Sequence, residues 1–122
     1  MAAPNLVNVT SILGKTMGAT LGTTVTSDIL TCASDKVLKI NSIIVSNIDG
    51  TNDATVTCYF YDNSATTRYS LATTVTVPAD STLVIIGKDS PIYLEESDHI
   101  EAGANATNDL AMIISYEELD DA

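Results

Sequence analysis

The segment ATVTCYFYD, residues 54–62, alternates apolar and polar positions without a break. A strand turns successive side chains to opposite faces, so a period of two marks a half-buried strand. Ala54, Val56, Cys58 and Phe60 are predicted to face the core. Thr55, Thr57, Tyr59 and Tyr61 are predicted to face outward. Similar runs recur along the chain, separated by turn residues every eight to twelve positions. They cover 23–31, 37–47, 67–77, 81–87, 92–94, 99–104 and 109–116. That rhythm predicts an all-β fold, a β-sandwich or jelly roll of about eight antiparallel strands. No helical period is long enough for an α/β fold. The 17 Thr among 122 residues agree with this, because β-branched residues suit strands better than helices.

Two strands carry phase information. In 37–47, Leu38 and Ile40 have one parity, Ile43 and Val45 the other. A bulge near Asn41-Ser42 would realign them. In 67–77, Tyr69, Leu71, Thr73, Val75 and Val77 are expected to share a face. In 81–87, either Leu83 and Ile85 or Val84 and Ile86 face inward.

The length suits one domain able to bury a core. Residues 1–22 are Gly- and Thr-rich and read as an extended arm or edge strand, with Leu6, Val7, Val9, Ile12 and Leu13 as its apolar contacts to a neighbouring subunit. Residues 23–118 form the sandwich, and 119–122 an acidic C-terminal tail. Gly14, Gly18 and Gly22 are spaced like a membrane helix-packing motif, but Lys15 and several Thr interrupt them. No apolar run reaches spanning length, so no membrane partner is expected. The opening MAAPNLVNVT lacks the basic and apolar regions of a secretory leader.

The net charge of −11 is unevenly placed: residues 61–122 hold twelve acids against Arg68 and Lys88. Such a surface repels phosphate backbones, so nucleic acid is not an expected partner. Cys32 and Cys58 allow one disulfide at most and read as two buried free thiols.

Candidate chemistry is sparse. The stretch LEESDHIEAG surrounds the sole histidine with acids, and parity in a strand puts His99 and Glu101 on one face. Glu95, Asp98, His99 and Glu101 are weak cation-site candidates, because one imidazole with carboxylates can hold a divalent metal. A firm site wants more nitrogen or sulfur ligands, so the expected reading is an acidic turn. Asn47, Asp49, Asn52 and Asp53 make an oxygen-rich loop, but the EF-hand spacing is absent and turn chemistry explains these residues. No nucleophile motif, phosphate-binding loop or dinucleotide fingerprint occurs. The expectation is no catalytic residue, no cofactor, no resident metal and no enzyme. The outward Tyr59 and Tyr61, with Arg68, Tyr69, Tyr93 and Tyr116, are candidates for a subunit interface or for stacking on sugar rings.

The segments KINSIIVSNIDGTNDATVTCYFYD, VTVPADSTLVIIGKDSPIYLEESDHIEAGA and NDLAMIISYEEL cover about half the chain. They resemble small β-sandwich virion proteins of tailed bacteriophages, especially marine cyanophages. Pro78-Ala79 and Pro91-Ile92-Tyr93-Leu94 look like that group's strand starts, and Asp98 like its turn aspartate. A glycine is more usual where this chain has Ser97. The resemblance implies a non-enzymatic virion component assembled in the host cytoplasm. It implies a capsid decoration protein bound to the major capsid protein or other virion proteins. It further implies a homo-oligomer, with a trimer favoured. A neck or tail accessory protein and a carbohydrate-binding module are the alternatives.

Overall fold

The computed structural model describes residues 11–120 and is all-β. Nine strands follow in chain order: β1 (Ser11–Thr20), β2 (Asp28–Thr31), β3 (Lys36–Asn47), β4 (Ala54–Asp62), β5 (Thr67–Val77), β6 (Thr82–Ile86), β7 (Ile92–Leu94), β8 (His99–Ala104) and β9 (Leu110–Asp120). They form a β-sandwich of two antiparallel sheets. One has the order β1-β9-β3-β6, with β7 also paired to β3; the other has the order β2-β8-β4-β5.

β3 is the central strand of the larger sheet. It pairs with β9 along its length on one side, and with β6 and then β7 on the other. Its register with β9 slips by one residue between Ile40 and Ser42, at Asn41. This is the predicted bulge. It lets Leu38, Ile40, Ile43 and Val45 all enter the core, each at most 2% exposed. Ile114 and Met112 lie beside them from β9, and Val56, Cys58, Ile100 and Ala102 face them from the smaller sheet. A dry layer of interdigitated aliphatics is the dominant stabilising term.

Both cysteines are buried free thiols. Burial pushes the Cys58 thiol up to about 12 and the Cys32 thiol up to about 11.

Four expectations need correction. Within 23–31, only Asp28–Thr31 is a strand. Residues 23–27 instead wrap over β8, where Ala102 N donates to Ser27 O at 3.1 Å and Ala104 N to Gly22 O at 2.8 Å. Gly103 permits this close approach: a Cβ there would lie 2.6 Å from the Thr24 carbonyl oxygen. Second, β1 is an edge strand of the larger sheet, one of the two readings of 1–22, so the sandwich begins before residue 23. β1 pairs with β9 over its whole length, and Leu21 is fully buried in the core. Third, residues 119 and 120 belong to β9, not to a tail. Leu119 is buried, and Lys36 Nζ donates to Asp120 Oδ2 at 2.6 Å. Fourth, β5 does not keep one phase. Its register with β4 shifts around Cys58, turning Ala72 inward, and Thr74 takes a positive φ of 48°. Neither parity holds through 81–87: the register with β3 shifts at Ile85, so Leu83 and Ile86 both turn to the core, Ile85 packs against it, and Val84 faces outward.

Gly103→Ala is expected to lower stability by about 1–3 kcal/mol, because its methyl group meets backbone that cannot move alone. A lower urea midpoint with an unchanged slope would show it. Cys58 is expected to resist a thiol reagent in the folded protein and to react on unfolding, since the thiolate is the reactive form.

Candidate functional site

The acidic stretch that holds the histidine divides into two structures. Its first half is a turn. Asp98 is buried, and its carboxylate accepts from Asn63 N at 2.9 Å and from Glu95 N at 3.0 Å. Glu96 accepts from Asp35 N at 2.9 Å. Asp98 therefore joins the 95–98 turn to the β4–β5 connection, and Glu96 joins it to the β2–β3 turn. Glu95 is exposed and stands apart.

The second half lies on the outer face of the smaller sheet. In β8, His99 and Glu101 share that face, as their parity predicts. Register sets Tyr61 beside His99 and Tyr59 beside Glu101, with Arg68 of β5 beyond Tyr61. The Tyr61 and His99 rings stack at 4.5 Å with an interplanar angle of 11°. The Arg68 guanidinium crosses β4, 5.8 Å from the Tyr59 ring centre and 5.4 Å from that of Tyr61. It ends on Glu101, with Nε to Oε1 at 2.8 Å and Nη2 to Oε2 at 3.3 Å.

Glu101 is only 3% exposed although it sits on the outer face. The tyrosines and the arginine cover it. Burial opposes its charge, but hydrogen bonds from Arg68 and His99 outweigh burial and hold the carboxyl below its usual range. The same contact raises Arg68 above its ordinary value. His99 Nε2 lies 3.0 Å from Glu101 Oε2 and 3.2 Å from Asp28 Oδ1 of β2. Asp28 is the member that sequence reading missed. Nothing local marks it, because it arrives by β2–β8 pairing across about 70 residues of chain.

The remaining candidates disperse. Tyr69 pairs in register with Phe60, stacks on it at 6.4 Å and stays half-exposed. Tyr93 is on β7 in the other sheet, opposite Lys39. Tyr116 packs against the core. The six candidates are thus not one surface: only Tyr59, Tyr61 and Arg68 meet. Both flanks of Tyr61 are engaged, by His99 and by Arg68, which leaves little free ring face for a sugar. Ile12 and Leu13 lie in β1, while Leu6, Val7 and Val9 fall outside the described residues. The 47–53 loop is held by its own side chains. Asn47 donates to Asn52 O and Val77 O, and Asp49 accepts from Thr51 N and Asn52 N. No cavity opens among the described residues.

A second surface, which sequence reading did not single out, is the outer face of the larger sheet. Register aligns Gly18 of β1, Ile113 of β9, Ile44 of β3 and Val84 of β6 in one row across four strands. Val84 is 59% and Ile113 39% exposed. Hydroxyl residues flank the row: Thr16 Oγ1 meets Ser115 Oγ at 3.3 Å on one side, and Ser46 Oγ meets Thr82 Oγ1 at 3.1 Å on the other. β1 is the sheet's edge, with no further strand paired to it among the described residues. The strands of this sheet carry Lys15, Lys36 and Lys39 against Glu117, Glu118 and Asp120, so their formal charges cancel. The rest of the chain therefore carries the acidic excess.

Comparison with known proteins gave no matching family model and no matching curated protein.

The Glu101 contacts imply a pH effect with a definite sign. Its folded carboxyl lies below the ordinary 4.5, so the stabilisation is present above that value and is lost as pH falls through the folded value. Glu101→Gln is expected to flatten the acid limb of a plot of urea midpoint against pH. An unchanged acid limb would show that the network contributes nothing to acid stability.

Proposed function

We propose that the protein is a non-enzymatic structural component of a tailed-phage virion, a capsid decoration protein that binds the assembled head. The observation that carries this reading is the outer face of the larger sheet. It is apolar along one row, the formal charges of its strands cancel, and it ends in a ten-residue edge strand. A chain of net charge −11 repels its own copies through most of its surface. A neutral face with exposed Ile113 and Val84 is where contact with protein costs least in desolvation and repulsion. The edge strand adds backbone groups that no other described strand pairs, and these can extend a partner's sheet.

The resemblance of the 39–62, 75–104 and 108–119 regions to small phage virion proteins supplies the class of partner, the major capsid protein. A decoration protein works by adding contact area between neighbouring capsid subunits, so it needs adhesive surface and no catalytic group. The acidic remainder keeps many crowded copies soluble around the particle. Placement on the head is the commitment; a neck or tail position would use the same surface against another virion protein.

The test has two parts. Light scattering coupled to size exclusion on the full chain is expected to give a discrete homo-oligomer. Ile113→Lys and Val84→Lys are expected to dissociate it while changing stability by about 0.5 kcal/mol or less, because both side chains are exposed. An antibody to the chain is expected to label the heads of purified virions of the phage that encodes it. A monomer that is absent from virions would overturn the reading, and labelling confined to necks or tails would move it off the head.

A further inference from the structure

We propose that Asp28, His99 and Glu101 bind one divalent transition-metal ion of the zinc class on the outer face of the smaller sheet. The inference is independent of the virion reading. One ligand atom from each residue falls within a group whose members all lie within 4.8 Å of one another. His99 Nε2 stands 3.2 Å from Asp28 Oδ1 and 3.0 Å from Glu101 Oε2. Bonds of about 2.0–2.1 Å to a tetrahedral ion place neighbouring ligand atoms roughly 3.3 Å apart. Both contacts of the imidazole nitrogen are therefore close to ligand spacing.

The surroundings fix the ring. His99 Nδ1 faces the Ser97 carbonyl oxygen at 3.4 Å, and the ring is stacked on Tyr61. With Nδ1 turned toward that acceptor, Nε2 faces the two carboxylates, and a cation would take the place of the proton that Nε2 shares with Glu101. Outer hydrogen bonds that orient a ligating imidazole in this way are a regular part of metal sites. Arg68 serves Glu101 similarly: its Nε takes Oε1, while Oε2 carries the His99 contact and a longer one to Nη2. Asp28 supplies access, because its side chain is 60% exposed while those of His99 and Glu101 are 14% and 4% exposed.

One nitrogen and two oxygens select the class of ion. Calcium and magnesium prefer all-oxygen shells with more ligands, whereas imidazole with carboxylate suits zinc, cobalt and nickel. Solvent would complete the shell on the exposed side. Glu95 and Asp98 lie outside the group, Glu95 being exposed and both Asp98 oxygens being occupied by backbone N–H groups.

The experiment is calorimetric titration of the metal-stripped full chain with zinc chloride, repeated with cobalt, calcium and magnesium chlorides. Zinc and cobalt are expected to saturate one site. Asp28→Asn is expected to weaken binding roughly tenfold or more, and His99→Ala to abolish it. Glu95→Gln, which removes a nearby acid outside the group, is expected to leave it unchanged. Asp28→Asn alters an exposed side chain, so its thermal midpoint serves as the check that folding is intact. Absence of saturable zinc binding would overturn the proposal. Binding that persists in both Asp28→Asn and His99→Ala would also overturn it, as diffuse attraction to an acidic surface. So would calcium binding as tight as zinc.

Discussion

One extra residue in β3 holds the sandwich together. Asn41 stands outside the β3–β9 ladder and reverses the parity of everything after it. Because of that reversal, a twelve-residue strand can send Leu38 and Ile40, then Ile43 and Val45, into the same dry layer. Without it, one pair would face water, and the strand would lose half its contribution to the core. The neighbours of β3 depend on the same device. β7 pairs before the bulge at 38–40, β6 pairs after it at 43–46, and β9 spans both halves. The bulge is thus where the two halves of the larger sheet are brought into a common face.

The two outer faces of the sandwich are chemically opposite. On the smaller sheet, Arg68, Tyr59, Tyr61, His99, Glu101 and Asp28 form a closed network in which a buried carboxylate is satisfied by side chains. Buried charge is costly unless paired and hydrogen-bonded, and Glu101 meets both conditions. On the larger sheet, the outer row of Gly18, Ile113, Ile44 and Val84 offers apolar contact with no net charge. The proposed metal site draws on the first face, and the proposed contact with another protein draws on the second.

Local pattern carried much of this. Ala54–Asp62 is a strand because its alternation is unbroken, and the parity of His99 and Glu101 placed them together before any fold was known. The mismatch of parity within 37–47 located the bulge. Where local pattern misled, a distant contact had intervened. Thr23 to Ser27 looks like strand sequence, yet Gly103 leaves room for that segment to cross β8 as a loop. Leu119 and Asp120 look like a solvated tail. Val37 and Ile12 flank Leu119 in register, and Lys36 pairs with Asp120.

By itself the sequence determined the class of fold, the sites of most turns, the inward residues of β4 and the shared face of His99 and Glu101. These follow from period and turn chemistry, which act over a few residues. Only the tertiary structure decided that Asp28 joins His99, that Arg68 reaches Glu101 across β4, and that Ile113 and Val84 align in one row. Those facts depend on which strands pair and in what register. Pairing is decided by burying the core as a whole, and no short segment encodes it.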